Sequence, residues 1–338
     1  MVSIKVIAAE CGVSIATVSK ALNGQRDVSP ETRQRVIDTA RRLGYMPNSM
    51  ARALKTNRTY NIGVLFVDEA QSGLTHEYFA AVLDSFKRQA DLRGYDITFI
   101  NRHVGRRSSS YLEHCRYRGV DGVVIACVQF TDPEVVELVQ SDLPTVTIDH
   151  VFNNRSAVLS DNAEGMRALV EHFIALGHRR IACIHGERHS SVTEKRLASF
   201  YRTCSEHGIT VPDEYVRSAE YRNVAFCAEQ TRALLALPEP PTAILYPDDY
   251  SAVGGIQAIR EAGLSIPGDI SVAGYDGIAL SQIITPSLLS YRQNTETLGR
   301  QAADLLIEQI ENPRTTLPEQ RVVSGNLQLG DSAAAPKR

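Results

Sequence analysis

The chain has 338 residues, 43% of them apolar and 22% charged, an ordinary globular composition with room for two or three domains. Six Cys, at positions 11, 115, 127, 183, 204 and 227, include no CxxC pair and no regular spacing, which excludes a disulfide framework in favour of reduced thiols. No apolar run reaches the roughly 20 residues of a membrane span. The N-terminus MVSIKVIAAECGVS lacks a secretory apolar region and a cleavage pattern. A cytoplasmic protein without a membrane partner is expected.

The net charge of −3 hides a segregation. Residues 1–60 hold ten Lys or Arg against four acids, +6, and residues 61–338 carry −9. A basic head on an acidic body points to a polyanion partner for the head alone.

The head reads as three short helices. In IKVIAAECGVSIATVSKALNG, residues 4–24, Ile4, Ile7 and Ala8 share one face, and Gly12 suits the left-handed residue that ends a first helix. Ser14 is a natural N-cap for a second helix to about Leu22, with Val18 and Leu22 turned inward. Ser29, Pro30, Glu31 and Gly44 punctuate a third, whose Val36, Ile37, Ala40 and Leu43 face the others. Two short helices joined through a Gly turn and braced by a third form a helix-turn-helix module. There the start of the second helix reaches base edges, which places Ile15, Ala16 and, one turn on, Lys20 in the major groove. Ser14, Thr17, Ser19 and Asn23 supply hydrogen bonds to phosphate, which position without reading sequence. The competing reading, a small bundle whose Ser and Thr merely cap helices, leaves the charge segregation unexplained.

From residue 61 onward, apolar runs alternate with helical patterns. IGVLFV (62–67), DITFI (96–100), GVVIACV (122–128) and TVTID (145–149) alternate with helices near 77–92, 109–117 and 133–140. After Asp161 the pattern restarts with a helix over 163–176, RIACIHG (180–186), helices over 193–207 and 224–236, TAILYP (242–247), a helix over 251–262 and SVAGYD (271–276). Two such series predict an α/β fold of two Rossmann-like lobes with parallel sheets, with a (β/α)₈ barrel as the competing architecture. Ligands of open α/β sheets bind beyond the carboxyl ends of the strands. That rule selects Asp68, Asp149, Asp248, Asp249 and Asp276, and with Arg196 these suit a neutral polyhydroxylated ligand. Structural readings compete at each: Asp249 as N-cap of a helix from Tyr250, Asp161 as a hinge or cap, Asp276 in an Asx-turn, Arg196 paired with Glu194.

VIAAECGVSIATVSKALNG and VSPETRQRVIDTARRLGYMPNSMARAL closely resemble the DNA-binding head of the lactose/galactose repressor (LacI/GalR) family. VDGVVI, LSDNAEGMRALVEHFIALGHRRIACIHG, RLASF and IPGDISVAGYDG extend the resemblance over nearly the whole chain. It implies a periplasmic-binding-protein-like body of type I, a palindromic DNA operator, a homodimer and a small-molecule effector. It assigns Arg196 of RLASF (Ser for the usual Gly) and Asp276 of GYDG to the effector. Asp248 stands where the family has Asn, so a donor becomes an acceptor and the identity of the ligand is put in question. His76 and Phe79 of THEYF replace the family's early-lobe pocket motif, and Tyr221 sits where an aromatic stacks on a sugar ring, against a core or surface Tyr as the plain reading.

PNSMARALKTN, residues 47–57, then becomes a hinge helix rather than a linker. Met50, Ala53 and Leu54 share a face; the family's hinge Leu wedges into the minor groove, and Leu54 matches it, with Met50, Ala51 and Lys55 alongside the DNA. The expected division is a head over 1–46, a hinge over 47–60 and a body over 61–338 with lobe crossovers near 157–162 and 288–294. GxxxxGK(S/T), HExxH and GxSxG are absent from the sequence, and His185 near Cys183 and His114 beside Cys115 lack metal-site company. No enzyme, metal or cofactor is expected. The reading is a transcriptional regulator, a repressor, controlled by a sugar. The alternatives are a purine- or nucleoside-responsive repressor of the same fold and a solute-binding protein without a regulatory role.

Overall fold

The structure, a computed structural model, describes residues 2–22, 24–25, 27–45, 58–67, 73–187 and 190–337. Asn23, Met50, Ala51, Leu54, Lys55 and Asp68 lie outside the described residues. Two compact units are present, Met1–Thr59 and Tyr60–Arg338.

The head contains α1 (Ile4–Cys11), α2 (Ile15–Leu22) and α3 (Pro30–Arg42). Gly12 adopts φ 61°, and Val13 N–H bonds back to Ala8 O, so the chain reverses without a Cβ clash. Ser29 accepts from Thr32 N–H and Pro30 occupies the first turn, as the sequence leads one to expect. Ile7, Val18, Ala21, Val28 and Val36 form the small core.

In the body, the first lobe is a six-stranded parallel sheet. Its strands are β1 (Asn61–Phe66), β2 (Asp96–Phe99), β5 (Gly122–Ala126), β6 (Thr145–Ile148), β7 (Ser156–Ser160) and β13 (Gln320–Val323), in the order β13-β7-β6-β5-β1-β2. A two-stranded hairpin, β3 (His103–Val104) with β4 (Arg107–Ser108), follows β2. Helices α4 (Glu77–Leu92), α5 (Tyr111–Arg118), α6 (Pro133–Gln140) and α12 (Thr295–Glu311) cover this lobe. The second lobe is a four-stranded parallel sheet, order β11-β10-β8-β9, built from β8 (Ile181–His185), β9 (Val216–Ser218), β10 (Ala243–Leu245) and β11 (Ser271–Ala273). It carries α7 (Asn162–Ala175), α8 (Ser191–Glu206), α9 (Val224–Leu235), α10 (Asp249–Glu261) and α11 (Ala279–Ile283). Two open sheets, not a closed barrel, make up the body.

Strands buried on both faces explain why their sequences are near-continuous apolar runs. β7 is the exception: Ser156 and Ser160 end it, and no sequence expectation marked it as a strand. Its buried serines are satisfied from distant chain, Ser156 Oγ accepting Glu319 N–H at 3.0 Å and Ser160 Oγ bonding Gln293 Oε1. The chain crosses between lobes three times rather than twice: near 161, near 293, and again near 324. The last crossing joins β13 to β14 (Asn326–Gln328), which pairs antiparallel with β12 (Ser290–Arg292).

Candidate effector cleft and DNA-reading head

On the head, α2 begins as a capped helix: Ser14 Oγ accepts Thr17 N–H at 3.0 Å and lies 2.9 Å from Thr17 Oγ1. Ile15, at 49% exposure, and Ala16 are left pointing to solvent, where an inward-facing Ile would be ordinary. Ser19 is half-buried on the same helix. Lys20 forms an exposed ion pair with Asp27, whose carboxyl is held below its usual range first by that hydrogen bond. Solvent screens so exposed a pair, and a phosphate or a base edge competes for Lys20 at little cost.

In the body, the strand-end carboxylates Asp149 and Asp276 come together with Arg196 of α8 between the lobes. Asp149 follows β6 with φ 61° and accepts from Tyr78 Oη at 2.9 Å and from Ser160 N–H at 2.7 Å. Burial raises its pKa, opposed by those hydrogen bonds and by Arg196 and Lys195. Arg196, 6% exposed, donates Nε to Asn162 Oδ1 at 2.7 Å and Nη1 to the Pro247 carbonyl at 2.8 Å. Its guanidinium lies 3.4 Å from the centre of the Tyr275 ring, and Nη2 is 4.0 Å from Asp276 Oδ1. It is not paired with Glu194. Burial alone would lower the guanidinium's pKa, but Tyr221, Tyr275, Asp276 and Asp149 outweigh it and raise it. Asp276 is pushed up to about 6, by burial first and against the pull of Arg196. A buried donor fork faces a buried acceptor, with N–H groups on Nη1 and Nη2 left over for a ligand.

The adjacent carboxylates have other work. Asp248, not Asp249, is the N-cap of α10: it accepts Ser251 N–H at 2.7 Å, Ser251 Oγ at 2.8 Å and Arg222 N–H at 2.9 Å. At 3% exposure, Asp248 is a structural cap that also holds the Tyr221–Arg222 turn. Asp249 is fully buried and accepts Ile278 N–H at 2.9 Å and Ser290 Oγ at 2.6 Å, which anchors the turn carrying Asp276. Asp276 itself has φ 98°, a conformation that this anchoring sustains. Asp161 caps α7 through Glu164 N–H at 3.0 Å.

Aromatic rings close the site. Tyr221 lies over Gly186, where an added Cβ would come within 2.2 Å of the ring, and bonds Thr193 at 2.9 Å. His76 and Phe79 meet edge to face at 4.9 Å, beside Tyr78 and Phe66. Ser191 Oγ donates to the Asp149 carbonyl at 3.2 Å and Ala279 N–H to Glu77 Oε1 at 2.7 Å, so the two lobes are in contact around these residues. Sequence reasoning missed Tyr78, Asn162, Ser160 and Gln293, none of which sits directly after a strand it had marked.

Residues 3–48 match the family model described as bacterial regulatory proteins, lacI family, and residues 170–333 match the periplasmic binding protein-like domain. The chain is 33% identical over 328 residues to the ribose operon repressor of Escherichia coli strain K12, covering 95% of this chain and 96% of that protein. This chain belongs to the LacI family. As a LacI-family protein it is a DNA-binding transcriptional regulator, with its helix-turn-helix at the N-terminus and its ligand lobes behind. It is 31% identical to the HTH-type transcriptional repressor PurR of Photobacterium profundum over 336 residues, covering 97% of each. Among solved structures, the lac repressor dimer bound to operator and the anti-inducer ONPF superposes with a TM-score of 0.81 at 26% identity, over 99% of each chain. A transcriptional regulator CelR–cellobiose complex reaches 0.71 at 26% identity, covering 98% of this chain and 100% of that one. These relatives are named as regulators rather than enzymes. Consistent with that, burial pushes the thiols of Cys115, Cys183 and Cys227 up to about 12, which suits core residues rather than nucleophiles. Among the described residues no helix is long and apolar enough to cross a membrane.

Proposed function

We propose that this LacI-family regulator is a cytoplasmic repressor that binds a palindromic operator as a homodimer and changes its operator affinity when a carbohydrate occupies the cleft. The observation that carries the effector class is the Arg196–Asp276 pair, a buried donor and a buried acceptor 4.0 Å apart whose charges balance. A neutral polyol satisfies both without adding charge, whereas an ionic ligand would leave one of them uncompensated. The relatives are named for ribose and, in one complex, cellobiose. A purine or nucleoside is the second reading, favoured by the similarity to PurR and by the aromatic group around Phe79. A thermal-shift panel of mono- and disaccharides, nucleosides and purine bases decides: stabilisation by purines alone would sink the sugar reading.

In this reading Ile15, Ala16 and Lys20 reach base edges and Ser14, Thr17, Ser19 and Asn23 hold phosphates. Met50, Ala51, Leu54 and Lys55 form the hinge contact, and the effector meets Asp68, His76, Phe79, Asp149, Arg196, Tyr221, Asp248 and Asp276. Leu54→Ala should weaken specific operator binding by about tenfold or more, the loss of one buried wedge, with effector affinity unchanged. Fluorescence anisotropy on a selected operator measures it, and an unaltered affinity would return the segment to plain linker.

The homodimer surface is assigned to the open face of α10 and α11. There Ile283 is 76% exposed beside a groove of about 530 Å³ in which Val253, Ile256 and Ile284 are flanked by Gln257, Arg260, Glu261 and Thr285. A relative is described as a dimer on its operator. Ile283→Glu should therefore turn dimer into monomer in light scattering at micromolar concentration; persistence of the dimer would place the interface elsewhere.

A further inference from the structure

Two amides in the cleft have their orientation dictated by chemistry. A carboxylate only accepts, so the Gln293 group 2.7 Å from Asp276 Oδ1 must be Nε2, and Oε1 must then receive the Ser160 hydroxyl. A guanidinium only donates, so Asn162 turns Oδ1 to Arg196 and Nδ2 to the Ser160 carbonyl at 3.2 Å. With the Arg196–Asp276 approach, these contacts close a ring: Ser160, Gln293, Asp276, Arg196, Asn162 and back to Ser160. Ser160, Asn162, Arg196 and Gln293 are all buried. Ser160 and Asn162 stand on the first crossover and Gln293 on the second. Ser160 N–H also holds Asp149 of the first lobe, and Gln293 N–H bonds the Asp276 carbonyl at 3.1 Å.

We propose that Ser160 and Gln293 form a positioning relay that fixes the Asp276 carboxylate to the crossovers, so that the effector-facing acid and the lobe hinge move as one unit. Ser160 never touches Asp276; it acts by polarising and orienting the Gln293 amide, whose N–H then donates more strongly. Around Asp276 the charged and titratable neighbours are Arg196 on α8, Asp248 and Asp249 at the start of α10, Asp149 after β6, Tyr78 on α4, and Tyr221 and Tyr275. Of these, Tyr78 also hydrogen-bonds the Ser160 side chain, so Ser160→Ala is compared with the parent in a Tyr78→Phe background, where a change in Asp276 reports the relay.

This inference rests on the reading of Asp276 as an effector-facing acid, yet its test uses no effector and stands whichever compound binds. Carboxyl carbons of the full chain are followed by NMR across pH 4–9, with the Asp276 signal assigned by its loss in Asp276→Asn. Gln293→Met should raise the Asp276 midpoint by about one pH unit, and Ser160→Ala by about half of one, through loss of a hydrogen bond to the charged form. The double variant should match Gln293→Met alone, because Ser160 acts only through Gln293. An Asp276 midpoint unmoved by Ser160→Ala, or shifts that add in the double variant, would overturn the relay and leave Ser160 an ordinary strand residue. If Gln293→Met does not fold, the Ser160→Ala titration decides alone.

Discussion

Arg196→Ala should lower affinity for the effector found in the panel by about 100-fold or more while leaving operator affinity in its absence unchanged. Losing a hydrogen-bonded buried charge at a ligand costs about 2–5 kcal/mol, and about 2.7 kcal/mol is a factor of 100. The substitution also strands Asp276, whose cationic neighbour at 4.0 Å disappears. Removing one partner of a buried pair costs about 3–5 kcal/mol of stability. That cost depends on pH in a definite direction. Asp276 already titrates near 6 in the fold, above the ordinary 3.8, and without Arg196 it moves higher still. An acid raised on folding favours the fold below its unfolded pKa and loses that contribution as pH rises through the folded value. The variant should therefore unfold at lower urea than the parent, by the widest margin at pH 8 and by less toward pH 5. Arg196→Lys keeps a charge without the fork and should lose effector binding with a smaller stability deficit. Calorimetry with effector, anisotropy with operator and urea melts at the two pH values separate these outcomes. If operator binding disappears with effector binding, the cleft assignment is wrong.

Gly299→Ala should destabilise the body by about 3 kcal/mol, through overpacking. Gly299 lies on α12 where it crosses α4, and an added Cβ would sit 2.2 Å from Val82 O and 2.6 Å from Phe86 N. Those are backbone atoms, which cannot swing aside as a side chain would. Ala is the better helix former by about 1 kcal/mol, and that gain is too small to offset the clash. The helices are pinned by Ser85 Oγ donating to the Glu296 carbonyl at 2.6 Å and Gln89 donating to Asp304 at 2.7 Å, so separating them breaks buried polar contacts too. A melting midpoint lower by about 6 °C or more is expected in scanning calorimetry. A midpoint equal to or above the parent's would show that α4 and α12 part without cost.

The cap, turn and periodicity signals were legible because they are local. Gly12, Ser29, Pro30 and the alternation of apolar strand with helix in the body each express a constraint within a few residues. Even α12, which the reading passed over, carries its Asn294 cap and apolar spacing in plain view. What no local pattern announces is that this helix returns to the first lobe, or that Ser156–Ser160 is a buried strand. Asp248 and Asp249 show the same limit at the site. Both follow a strand and either could cap the next helix, and only the positions of Arg222, Ile278 and Ser290 decide which acid caps and which anchors the Asp276 turn.

By itself the sequence determined the two-part charge layout, the helix-turn-helix and the paired α/β series, and it offered Asp276, at a strand end, and Arg196, in a family motif, as candidates for the site. Tertiary structure alone decided that Asp248 is a cap, that the chain crosses three times between lobes, and that Ser160, Asn162 and Gln293 join Arg196 to Asp276 in one ring. Those partners lie from 2 to 133 residues apart along the chain. A hydrogen bond needs atoms about 3 Å apart in space, and sequence separation carries no information on that distance until the sheets have assembled.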